Sequence, residues 1–187
     1  RTMSGAVKMQ SGGMSKPAQP AQHKRKNTGD YSPVEPVPFA ERSRLAQKIA
    51  SDDGFVVSVE VNPPVGLDPT KSIEAARMLK AAGADVINIS DGPRASVRMS
   101  NWSLGLRVQQ ELDLECILHV CMRDRNLLGL QADLLAYYAM GLHNVVIITG
   151  DPPKLGDYPD ATAVFDLDSV RAIEMVSDFN HGLSPAG

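Results

Sequence analysis

Several classes of protein are excluded by what this chain does not contain. It has only two cysteines, Cys116 and Cys121, and no Cys-x-x-Cys pair. Its four histidines, His23, His119, His143 and His181, are scattered. A disulfide framework and a zinc site are therefore not expected. No Gly-x-Ser-x-Gly elbow is present to activate a serine nucleophile. No apolar run approaches the ~18 residues of a membrane span, and the start has no signal-peptide core, so the expected location is the cytoplasm. Acids are missing from residues 1–29, which carry six basic residues, leaving 13 basic against 22 acidic residues in the remainder. That acidic body argues against nucleic acid as a partner. The run His23-Lys24-Arg25-Lys26 reads as a solvated stretch of a flexible tail, with a sorting signal or transit peptide as the alternatives.

Residues 1–37 are rich in Gly, Ser, Pro, Gln and Lys. Such a composition cannot bury enough apolar surface to fold, so a disordered tail or linker is expected there. From Pro38 onward the pattern changes. A short helix is expected over 39–50, covering the bottom of the folded body. Residues 55–61 then alternate Val57, Val59 and Val61 with Ser58 and Glu60, the period of a strand with one apolar face. Asp68 and Pro69 open a helix that Gly83 stops.

The same unit recurs three more times. Strands are expected over 85–90, 116–122 and 144–149, the last buried on both faces. Helices are expected over 95–112, 125–140 and 167–179, with Leu104, Val108 and Leu112 on one stripe and Leu127, Leu130, Leu134 and Tyr138 on another. Cys116 and Cys121 lie five apart in one strand, so they face opposite sides and cannot pair with each other. Alternating strands and helices at this spacing imply a parallel sheet.

A doubly wound sheet and a β/α barrel share that pattern. A dinucleotide fold wants glycine N–H groups after the first strand, but here the turn is Asn62-Pro63-Pro64-Val65-Gly66, and two prolines remove two donors. The barrel is favoured. A complete one needs roughly 250 residues, so residues 38–187 are expected to form about its first four units. An isolated half would expose an apolar edge, which favours self-association.

Four polar residues recur at the expected strand ends, Glu60, Ser90, His119 and Asp151, separated by 30, 29 and 32 residues. Repetition at one end of a parallel sheet builds a single site from distant segments. A carboxylate between Val59 and Val61 resists ionisation if buried and could act as a general acid, or it could pair with Arg94 or Arg98. His119 could be a ligand or a satisfied core residue. Asp151 could serve the site or brace its loop, and Ser90-Asp91-Gly92-Pro93 is also an ordinary turn.

The segments VEVNPP (59–64), NISDGPRAS (88–96), ILHVCMRDRNLLGLQADL (117–134) and ITGDPPKLGDYPDATAVFDLDSV (148–170) resemble the methylenetetrahydrofolate reductase family. They are most similar to its form in bifunctional proteins that add a homocysteine S-methyltransferase module. The resemblance implies a flavin-bearing barrel in which NAD(P)H reduces FAD and the hydride passes to 5,10-methylenetetrahydrofolate, giving 5-methyltetrahydrofolate. It makes Glu60 the acid that protonates the folate. Asp151 becomes the aspartate near flavin and pterin that tunes the flavin potential. Ser90, Asp91, His119, Thr149 and Gly150 fall on flavin-pocket positions, Ser90 where many relatives have Thr and Thr149 where many have Arg. A flavin-free folate-binding methyltransferase barrel and a non-catalytic fragment are the alternatives.

Overall fold

In a computed structural model, the chain is described over residues 32–51 and 54–183. The first 31 residues of the expected tail lie outside that range. Of the described residues before Pro38, Val34 donates its N–H to the carbonyl of His181 (2.9 Å). The elements run in the order α1 (Arg44–Ser51), β1 (Ser58–Val61), α2 (Thr70–Ala81), β2 (Val86–Ile89), α3 (Asn101–Leu112), β3 (Cys116–Cys121), α4 (Leu127–Ala139), β4 (Asn144–Ile148) and α5 (Ser169–Asn180). Short 3-10 turns occupy Phe39–Glu41, Pro93–Ala95 and Pro153–Leu155. The four strands form one parallel sheet in the order β1-β2-β3-β4. This four-stranded parallel α/β fold is consistent with part of a TIM-like barrel.

Register decides which residues share a face. Val61 lies beside Ile89, Ile89 beside Leu118, and Leu118 beside Val145. This row, with Ile87, Cys116 and Val120, is buried against Ile73 and Ala76 of α2, Leu104 and Val108 of α3, Leu130 and Tyr137 of α4, and Ala172 and Met175 of α5. The four helices that come after strands thus cover the same face. The opposite row carries Glu60, Asn88, Ile117, His119, Cys121, Val146 and Ile148.

The helix α1 sits at the amino-terminal end of the sheet, as expected for a bottom cover. Its first N–H groups, on Arg44 and Leu45, donate to the Glu115 carboxylate (3.0 and 2.7 Å), and Lys48 pairs with Asp85. The Lys48 hydrogen bond, aided by the Val57 N–H, holds the Asp85 carboxyl below its ordinary value.

Four expectations differ from the fold. The first strand begins at Ser58 because the backbone of Val57 is engaged by Asp85, leaving Phe55 96% exposed. The third helix begins at Asn101, not 95, since Arg94 and Ala95 have left-handed φ values of 57° and 55° that no right-handed helix can include. In α4 the buried stripe is centred on Leu130, so Tyr137, two turns on, is buried while Tyr138 is exposed and stacks edge-on to His143. Finally, β4 is only half-buried, with Val146 37% exposed, because it is an edge strand whose second face carries no helix among the described residues.

Leu118 is fully buried at the centre of the sheet. Truncation there removes packing against α3, where Leu118 lies close to Gly105, and leaves a cavity that rigid strands cannot close. Leu118→Ala should lower the unfolding free energy by about 2–5 kcal/mol in urea denaturation, whereas Leu128→Ala, on the exposed side of α4, should change it by less than about 0.5 kcal/mol.

Candidate active site

The uncovered face of the sheet presents a connected set of polar side chains. Asn88 donates from Nδ2 to the Ser58 hydroxyl (3.2 Å), and its Oδ1 lies 3.0 Å from His119 Nε2. Glu60 is beside Asn88 in register. It is exposed, which corrects the expectation of a desolvated carboxylate: β1 is an edge strand, and no element among the described residues lies over its polar side. Neither proposed arginine pairs with it. Arg98 donates to the Pro63 carbonyl (3.0 Å), and the Arg94 N–H is directed to Asp151. His119 is half-buried, and its Nδ1 has no hydrogen-bond partner among the described residues. Ser90, just beyond β2, is buried and donates to Asn62 Oδ1 (2.5 Å).

The loops after β2, β3 and β4 meet at the carboxyl-terminal end. Asp91 accepts from the Cys121 N–H (3.0 Å) and from Arg125 Nη1 (2.6 Å), while Arg125 Nε reaches Asp133 (2.7 Å). Burial opposes the charge on Arg125, but the hydrogen bonds and charges of its two aspartates outweigh it and raise its pKa. Asp91 therefore acts as a brace tying the end of β2 to β3 and α4. Asp151 is exposed and accepts from the Arg94 N–H through Oδ2 (3.1 Å).

Gly150 has φ +92°, and a Cβ there would lie 2.1 Å from Cys121 Sγ, so only glycine fits beside that thiol. Thr149 turns its hydroxyl away from the polar row, onto Ser169 at the start of α5 (3.2 Å).

Glu60, Ser90 and His119 thus lie on adjacent strands, while Glu60 and Asp151 belong to opposite edges. Three inter-strand steps separate those edges, on the order of 14 Å in a flat sheet, and Asp151 lies seven residues beyond Asn144, the β4 residue in register with Glu60. The two carboxylates can cooperate only through something lying across the strand ends. Arg123, Arg125 and Asn88 were not among the expected site residues. Their signal was legible as the triplet Arg123-Asp124-Arg125 immediately after a strand and as a polar residue at an alternating position within β2. Among the described residues no group of three or more His, Cys, Asp or Glu is placed to hold a metal ion, and no helix is long and apolar enough to cross a membrane.

Fold and site together define a parallel α/β protein whose polar groups gather where successive strands end. The family model for methylenetetrahydrofolate reductase matches residues 44–184. The chain belongs to that family, whose members are oxidoreductases of one-carbon folate metabolism. A comparison with curated protein sequences returns no match.

Both thiols are free and buried. Burial, with the nearby Glu115 charge, pushes the Cys116 thiol up to about 12, and burial also raises that of Cys121. The reactive thiolate is thus scarce at pH 8. Iodoacetamide at that pH should add nothing to the folded protein by mass spectrometry and should label both cysteines in urea; labelling of the folded protein would contradict the burial.

Proposed function

We propose that this chain carries the flavin and folate site of a 5,10-methylenetetrahydrofolate reductase that uses NAD(P)H as hydride donor and releases 5-methyltetrahydrofolate. The reading is supported by Glu60 and His119 lying on the uncovered face of the sheet and by Ser90 and Asp151 lying in the segments that follow β2 and β4, all within the matched span. The residues fit a flat heteroaromatic ring. Ile117, Val146 and Ile148 give the open face an apolar floor, His119 Nδ1 is without a partner among the described residues, and Asp151 is an exposed acceptor at the rim. FAD, when bound, would relay hydride from the nicotinamide to the folate.

In this reading Glu60 is the acid that protonates the folate nitrogen leaving as the five-membered ring opens. Its exposure in the chain leaves it open to substrate. With FAD bound, Asp151 would place a negative charge near the ring, disfavouring further negative charge on its reduced form, and would offer the pterin N–H edge an acceptor. Ser90, Asp91, His119 and Gly150 contribute to the ring site, Asp91 through its brace to Cys121 and Arg125 and Gly150 through the close approach it permits.

Among the described residues no strand pairs with the outer edge of β1 or β4, which supports reading the four units as part of an eight-stranded barrel, closed by further units or by self-association. We place the protein in the cytoplasm, without nucleic acid or membrane partners. A homocysteine methyltransferase module is a candidate companion in a longer protein.

Glu60→Gln keeps the shape and removes the acid. The folate half-reaction should slow by about 10²–10⁴-fold, while reduction of bound flavin by NAD(P)H, monitored by loss of yellow absorbance, should change little. Equal loss in both half-reactions would refute the acid role.

A further inference from the structure

Resting on the assignment of Asp151 above, we infer that Arg123 is a positioning residue for that carboxylate, holding at once the loop that carries Asp151 and the loop whose N–H binds it. Arg123 is 4% exposed. Its Nη1 donates to the Asp151 carbonyl (3.1 Å) and its Nη2 to the Gly92 carbonyl (3.2 Å). Nε and Nη2 also reach the two oxygens of Asp124 (2.7 Å each), which balances the buried charge. Two residues beyond Gly92, the Arg94 N–H donates to Asp151 Oδ2 (3.1 Å). The circuit is closed: one guanidinium anchors the backbone on both sides of the hydrogen bond that orients the Asp151 side chain.

The local backbone bears the marks of this constraint. Arg94 and Ala95 hold left-handed φ values, a strained conformation kept only where surroundings impose it. Gly92 has φ +52°, and a Cβ there would stand 2.7 Å from Arg123 Nη2. On the other side a Cβ at Gly156 would lie 2.0 Å from the Ala95 carbonyl oxygen, so the loop after β4 presses on the strained turn. Lysine cannot replace this arrangement, because a single ammonium cannot serve two divergent carbonyls and a bidentate carboxylate together.

The test measures hydrogen exchange of the Arg94 amide and the rate of folate reduction in the full chain, in Asp151→Ala, in Arg123→Lys and in the double variant. Arg94 exchange should accelerate at least about tenfold in either single variant, as expected on losing a hydrogen bond to a charged group. The double variant should reduce folate within about twofold of the rate of Asp151→Ala alone, because the arginine acts through that carboxylate. Unchanged Arg94 exchange in Arg123→Lys, or rate losses that multiply in the double variant, would overturn the inference. If Asp151→Ala leaves folate reduction unaffected, the assignment of Asp151 fails while the exchange data still decide the positioning. Should Arg123→Lys fail to fold, Gly92→Ala must accelerate Arg94 exchange in the same way, and its failure to do so would equally overturn the inference.

Discussion

Val61, Ile89 and Leu118 lie side by side in the sheet, and burying that row beneath α2, α3 and α4 forces Glu60, Asn88 and His119 onto the other face. Side chains alternate along a strand, so the choice made by the aliphatic row leaves the polar row no alternative. Helices cover the first face and, among the described residues, none covers the second. The site exists because one face of the sheet is satisfied and the other is not.

The ends of the strands are held by a different kind of interaction. Asn101, buried at the start of α3, donates through Nδ2 to the carbonyls of Ile89 and His119 (3.3 and 2.7 Å), joining β2 and β3 where their ladder runs out. Arg125 joins Asp91 to Asp133, and Arg123 joins the loops after β2 and β4. Buried polar groups at a sheet end must find partners, since desolvation without a hydrogen bond is costly. That requirement turns three separate loops into one rim and holds Asp151 beside the strained turn at Arg94. The rim is rigid where the residues are charged and buried, and open where Glu60 meets solvent.

Helix stops, the strand count and the alternation within β1 and β2 were legible in the letters. Gly83 and Gly141 take positive φ values of 96° and 77° at the ends of α2 and α4, as helix-stopping glycines do. The stripe Leu104, Val108 and Leu112 is buried as its spacing implied. Less legible were features that depend on partners distant in the chain. The late start of α3 reflects a turn pressed by Gly156, and the exposure of Val146 reflects the strand order. Arg123 and Arg125 were in plain view as a charged triplet, but charge near a strand end does not say whether it faces water or buried carbonyls.

Local chemistry in the polymer was enough to determine four strand-helix units, their parallel arrangement and the delivery of one polar residue per unit, because periodicity and turn residues act over a few positions. Which polar groups touch was decided only when the chain packed. Burial of the common aliphatic face set the register, and register placed Asn88 against His119 and left Glu60 exposed. Packing of the loops turned Thr149 toward Ser169 and closed the circuit through Arg123, since hydrogen bonds between residues 20 to 60 positions apart depend on three-dimensional proximity that no local pattern encodes.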